Sequence, residues 1–223
     1  MRKTPFVTGE YYHIYNRGVD KRITFSDESD MQRFYDSIEE FNTIEPIGSI
    51  YENSFAKKLG SPTSKSEEDV LVKLVAHCAN PNHFHLILKQ EAEKGIEKFM
   101  QKIGTGYTKY FNHKYERSGT LFQGKFKSVH VHSNEYLLHL SVYVNSNDKV
   151  HQLGSPTSKL VRSRSSWSEY VDGNEDIPDI CEKDIILDQF KDREEYKNFA
   201  TETLEDILER RSNLKDLEDM FLE

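Results

Sequence analysis

The chemistry this sequence most readily offers lies in His83-Phe84-His85, with Asn80-Pro81-Asn82 before it and Leu86-Ile87-Leu88 after it. A short apolar run broken on one side by a Pro-Asn turn reads as a strand. Residues two apart on a strand share a face, so both imidazoles project together and make half of a site for a divalent cation. A second element follows: the stretch from Asn134 to Asn147 reads as a helix, with Ser133 or Asn134 as its N-cap. On that helix Tyr143 and Asn147 stand four apart and share a face. Two imidazoles and an amide oxygen suit a cation that draws charge off a phosphate, and the phenol oxygen can then attack phosphorus. A free phenol titrates near roughly pH 10, so at neutral pH it needs such help.

His130-Val131-His132 is a second pair of the same kind, without the Pro-Asn turn. The reading therefore places the ligands at His83 and His85, with His130 or His132 as outer partners or phosphate contacts. His77 reads as structural, and a zinc set of His77, Cys78, His83 and His85 matches no common finger spacing.

These groups need a scaffold. Tyr11 to Arg17 alternates as a first strand. Ser26-Asp27 caps a helix running to about Asn42, with Met31, Phe34, Tyr35, Ile38 and Phe41 at helical spacing. Residues 43–69 are rich in Ser, Glu, Lys, Gly and Pro and read as a loop. A hairpin over 70–89, a helix over 95–115, a strand over 126–132 and the tyrosine helix complete the order. Strand, helix, strand, strand, helix, strand predicts an α+β fold, a ferredoxin-like βαββαβ antiparallel sheet. Helices are expected on one face, with the histidine strand central and the tyrosine helix near the open face. The division expected is 1–160 as the catalytic domain, with 43–69 an inserted loop, and 161–223 as an acidic, mostly helical extension.

Composition fits a polar globular chain, with 36% hydrophobic and 30% charged among 223 residues. No apolar run reaches the roughly 18 residues of a membrane helix, and two cysteines are too few for a disulfide framework; a cytoplasmic location is expected. The net charge of −8 divides unevenly: residues 172–223 hold 18 acids and 7 bases, leaving 20 acids and 23 bases in 1–171. Binding phosphate requires a local positive field, not a positive total. Such a field lies in 101–128, where Lys102, Lys109, Lys114, Arg117, Lys125 and Lys127 face Glu116 alone, interleaved with aromatic rings able to stack bases.

Five blocks in order resemble one family. They are His13-Ile14-Tyr15-Asn16-Arg17-Gly18, Pro81 to Leu88, Gly106 to Asn112, Arg117 to Phe126, and the helix with Tyr143 and Asn147. The chain resembles the HUH single-tyrosine transposases, above all those associated with repetitive extragenic palindromes. The resemblance implies the HUH endonuclease fold and a DNA transposase acting on single-stranded DNA beside a hairpin. Tyr143 would be the nucleophile, leaving a 5′-phosphotyrosine and a free 3′-hydroxyl for strand transfer, with Mg²⁺ or Mn²⁺ on His83, His85 and Asn147. DNA contacts are expected from Asn16, Arg17, Lys102, Lys109, Arg117, Gln123, Lys125, Lys127, His130 and His132. A monomer or homodimer away from membranes is expected. Where the family has Arg or Asp before the tyrosine and Pro after the asparagine, this chain has Val142 and Asp148. Those departures favour the alternative, a domesticated hairpin-DNA-binding protein that does not cleave.

One segment stands outside this pattern. Leu59-Gly60-Ser61-Pro62-Thr63-Ser64-Lys65 recurs as Leu153-Gly154-Ser155-Pro156-Thr157-Ser158-Lys159. Both copies are polar and turn-forming, which a surface tolerates. Codons such as TTG GGA AGT CCA ACT TCC AAG would make each copy an imperfect inverted repeat. The hypothesis is that both record insertion of one short palindromic DNA element. Sequencing the gene should then show the two copies sharing codons; unrelated codons would sink the idea.

Overall fold

The computed structural model describes residues 5–45, 47, 48, 50, 69–150, 161–172 and 180–220. Both copies of the repeated heptapeptide, and most of the 43–69 loop, lie outside the described residues.

Alternation builds the sheet. In β1 (Tyr11–Arg17), Tyr12 and Ile14 are buried in one core, while His13 and Tyr15 stand on the opposite face beside His85. In β3 (His83–Gln90), Phe84, Leu86 and Leu88 join that first core, and His83, His85 and Ile87 look the other way. β2 (Val72–Asn80) is buried along nearly its whole length, as befits a strand covered on both faces. With β4 (Lys127–His130) and β5 (Arg164–Ser165) the spatial order is β4-β1-β3-β2-β5, antiparallel throughout. The first four strands in that order are the ferredoxin-like split arrangement read from the sequence; β5 adds a two-residue edge beside β2.

α1 (Glu28–Glu40) and α2 (Gly95–Lys114) cover the first face. Asp27 caps α1, its carboxylate accepting the Asp30 N–H at 3.0 Å. The helices approach closely at Gly106, where an added Cβ would come within 2.6 Å of the Phe41 ring. A mid-helix glycine costs about 0.5–1 kcal/mol relative to alanine, and close packing of Phe41 offsets that cost. Lys114 sits 2.7 Å from both Asp27 and Asp30, which removes it from any field aimed at phosphate.

The second face differs from expectation. It is not left open. α3 (Asn134–Asn145) packs directly on it, with Leu137, Leu140, Val142 and Val144 buried against Val75, Cys78 and Ile87. Beyond α3 lie α6 (Asp184–Leu187) and α7 (Arg193–Met220), and α5 (Trp167–Val171) is tied to β2 beside them. A helix apolar around most of its circumference must be covered on more than one side, and α7 supplies the second cover through Tyr196 and Ala200. The Tyr196 hydroxyl, fully buried, lies 3.2 Å from Ser141 Oγ and 3.1 Å from Asn145 Nδ2. No described helix is long and apolar enough to cross a membrane.

Also different is the end of the tyrosine helix. It stops at Asn145; Ser146 (φ −109°, ψ 18°) breaks it, and Asn147 opens a separate turn, α4 (Asn147–Val150). Ser and Asn carry side chains that compete for backbone hydrogen bonds, which lowers the cost of such a break.

Tyr196→Phe removes one hydroxyl from between two buried polar groups. The expected loss is about 1–2 kcal/mol, read from urea unfolding, and removal of everything from residue 172 should cost more. Wild-type stability in the truncated chain would show that α3 stands on the sheet unaided.

Candidate active site

The site lies where the second face of the sheet meets the end of α3. The β2–β3 hairpin turns through Pro81-Asn82, which pairs Asn80 with His83 directly across the strands. Cross-strand partners project to the same face. Asn147 arrives from α4 and is fully buried. Its Oδ1 lies 3.0 Å from His83 Nε2 and 2.8 Å from Asn80 Nδ2, and Asn80 Nδ2 is 2.9 Å from His83 Nε2. On the other side of the ring, His83 Nδ1 lies 2.6 Å from Asn82 Oδ1. Both neighbours are amide oxygens, which only accept; with the proton on Nδ1, donated to Asn82, Nε2 keeps the lone pair that a metal ligand needs. Burial, opposed by the Asn147 contact, lowers the His83 pKa, which favours that neutral form.

His85 is buried next to it, the two rings 5.3 Å apart. Its Nδ1 lies 2.8 Å from His13 Nε2. For His85 to ligate through Nε2, Nδ1 must donate to His13, and His13 must be neutral to accept. Burial pulls the His13 imidazole down to about 4, so it is neutral near pH 7. Tyr15 stacks on His85 at 5.5 Å, and the Lys127 ammonium sits 6.0 Å above the Tyr15 ring. Tyr143 is half-buried, its ring edge-on to His85 at 5.6 Å and to His13 at 6.1 Å.

The donor set, two imidazole nitrogens and one amide oxygen, can hold a divalent cation. Two donors at right angles, each about 2.1 Å from an ion, are roughly 3.0 Å apart, as His83 Nε2 and Asn147 Oδ1 are. Asn147 Nδ2 is buried without a partner among the described residues, so what fixes this amide is its oxygen.

Family evidence bears on this geometry. Residues 48–147 match the family model described as "Transposase IS200 like", a span holding His83, His85, Tyr143 and Asn147. That segment is similar to the IS200-like transposases. The first block, with His13, lies outside the match. A solved structure, "Structure of the REP associates tyrosine transposase bound to a REP hairpin", aligns at 15% identity and a TM-score of 0.49, over 81% of this chain and 88% of that one. No curated protein matches.

Within the matched segment, Val142, which stands where the resemblance led to the expectation of Arg or Asp, is fully buried in the second core. Packing there demands an apolar side chain. The remaining expected DNA contacts scatter. Asn16, Lys109 and Lys125 line a groove of about 920 Å³ between α2 and the 119–126 loop. Exposed Arg17 donates to Gln123 beside it. Arg117 is held on Asn112 at 2.5 Å and on the Thr120 carbonyl at 3.3 Å. Lys102 is half-buried and donates to the Thr43 carbonyl at 2.7 Å. His130 and His132 do not form a pair: His130 leans on Tyr12 and lies 2.9 Å from Glu10, while His132 stacks on Tyr136. His130 pairs with Tyr12 across β1 and β4, so strand parity turns it to the first face.

Parity also separates His77 from His83 and His85. His77 joins Glu169 and Cys181 in a buried group whose ligand-capable atoms lie within 4.8 Å of one another. That group is closed by hydrogen bonds: His77 to Tyr35 at 2.9 Å and Glu169 at 3.2 Å, and Glu169 to the N–H groups of Ile180 and Cys181. It reads as a strut fastening α5 to β2.

Sequence reasoning missed His13, Asn80 and Asn82 as parts of the site. The signal for His13 was present, since β1 alternates in step with β3.

The lowered His13 pKa has a sign. Unfolded His13 binds a proton near pH 6.5 and the folded group only near 4, so stability is full above 6.5 and falls as pH drops toward 4. His13→Gln should make that fall shallower in thermal melts between pH 4 and 7. An unchanged slope would show that other groups carry it.

Proposed function

We propose that the chain is a single-strand DNA transposase in which Tyr143 is the nucleophile. The observation that carries this reading is the convergence of His83, His85, Asn147 and Tyr143 within a segment similar to the IS200-like transposases. His83, His85 and Asn147 would hold Mg²⁺ or Mn²⁺. When bound, the ion polarises the scissile phosphate and steadies its charge in the transition state.

The protein's own groups do the rest. Tyr143 oxygen attacks phosphorus, the bond to the 3′-oxygen breaks, and the 3′-oxygen takes a proton to become a hydroxyl. The products are a 5′-phosphotyrosine and a free 3′-hydroxyl, and the phosphotyrosine keeps the diester's energy for strand transfer. Asn82 holds the tautomer of His83, and His13 holds that of His85. Lys127, over Tyr15, supplies positive charge at the rim of the site. Arg17 with Gln123, and the groove bearing Asn16, Lys109 and Lys125, would carry the strand away from it. Lys102 and His130 are committed elsewhere and are left out of the contact set. A substrate unpaired at the scissile phosphate, beside a hairpin, fits a site with one tyrosine, because a duplex would hold the phosphate too rigidly.

Tyr143→Phe keeps the ring and removes only the attacking oxygen, so the fold should persist. A 3′-labelled oligonucleotide bearing a hairpin, incubated with Mn²⁺, should label the wild type through a phosphotyrosine bond and leave the variant unlabelled. His83→Ala and His85→Ala should lower cleavage by at least about a hundredfold while hairpin binding persists. An adduct on another tyrosine would overturn the assignment, and specific hairpin binding without any adduct would favour the non-cleaving reading.

A further inference from the structure

Helix α2 holds two glycines in its interior, and packing explains only one of them. Gly106 faces Phe41. Gly104 is half-buried, yet among the described residues nothing lies within 4 Å of where its Cβ would stand. Its φ is not positive, so alanine would fit the same backbone. A mid-helix glycine weakens the helix relative to alanine, and at Gly104 no internal contact offsets that loss.

The surroundings supply a reason. Met100, Gln101, Gly104, Thr105 and Thr108 recur at helical spacing and form one stripe. That stripe lines the groove of about 920 Å³ between α2 and the 119–126 loop. Gly104 stands in its middle and leaves the helix backbone bare to whatever lies in the groove. Mid-helix N–H groups are already bonded within the helix, so this surface offers an anion nothing. To a flat group it offers close van der Waals contact. Phe126, half-buried, brings an aromatic ring to the same lining, and Gln101, Thr105 and Thr108 bring hydrogen-bonding groups.

Cations stand on both sides, exposed Lys109 on α2 and exposed Lys125 on the loop. The acid of the lining, Glu97, lies about three turns from Lys109, toward the start of α2. Lys125 is two residues from Lys127, whose ammonium sits above Tyr15 at the rim of the tyrosine site. The groove therefore continues from that site. Its occupant should have a flat face, a polar edge and an anionic chain, and an unpaired nucleotide has all three. We infer that the groove holds an unpaired base of the DNA strand, laid flat on α2 at Gly104, with neighbouring phosphates on Lys109 and Lys125. The inference rests on the reading of the chain as a single-strand DNA transposase.

Filling the space at Gly104 should stabilise the protein and weaken DNA binding, a pair of signs that a packing role would not produce. Alanine and leucine both suit a helix interior. Gly104→Ala should raise the melting temperature by about 1–4 °C. Binding to a DNA hairpin with unpaired flanks, read by fluorescence anisotropy, should weaken about five- to hundredfold in Gly104→Leu, the range for losing one stacked base. Gly104→Ala should lose a smaller factor. An abasic site walked along the flanks should find one position where wild type loses a similar factor and Gly104→Leu loses nothing further. A lower melting temperature in Gly104→Ala would make the glycine a packing device and overturn the inference. So would wild-type affinity in Gly104→Leu, or a loss in Gly104→Leu that adds to that of every abasic site; an adduct on Tyr143 would still support the transposase reading. A wild type that binds neither hairpin nor single strand would overturn both.

Discussion

Everything in this protein depends on the two-sidedness of β3. One face of that strand must be apolar, because Phe84, Leu86 and Leu88 complete the core under α1 and α2. The other must carry His83 and His85. A slip of one residue in its pairing would exchange the faces, burying imidazoles in the core and exposing Phe84. Register is therefore fixed by burial on one side, and the site on the other side inherits that precision. The two-residue turn at Pro81-Asn82 adds a local lock, since it sets Asn80 opposite His83.

That logic also explains what the sequence revealed. Period-two alternation marks Tyr11–Arg17 with the bounds observed, and the Asp27 cap marks the start of α1. The order of elements suffices for the ferredoxin-like arrangement, because split crossovers leave few ways to close an antiparallel sheet. Less visible was anything depending on a long-range partner. His13 and Asn80 enter the site only through register with β3. His130 looks like His83 in isolation, yet its pairing with Tyr12 turns it away. The covering of the second face by α7 was hidden for the same reason: an acidic helix near the end of the chain shows its polar residues plainly, while Tyr196 and Ala200 are too few to announce a buried contact.

The charge pattern is likewise altered by folding. Lys114 and Lys102 count toward a basic stretch in the sequence, but one is paired with Asp27 and Asp30 and the other with a backbone carbonyl. What remains for a polyanion is a smaller set near the β1–β4 edge: Arg17, Lys125 and Lys127, with Lys109 across the groove. Position decides the field more than number does.

The break at Ser146 has a mechanical consequence. In an unbroken helix, residues four apart are locked at a fixed angular offset, and any roll of the cylinder swings both together. Here the two pieces are pinned separately: α3 through Tyr196 at Ser141 and Asn145, α4 through Asn80 on Asn147 and Arg211 on the Val150 carbonyl. Phenol and amide thus have independent bearings on the sheet. A small axial rotation of α3 re-aims the ring of Tyr143 while the Asn147 oxygen keeps its azimuth over His83.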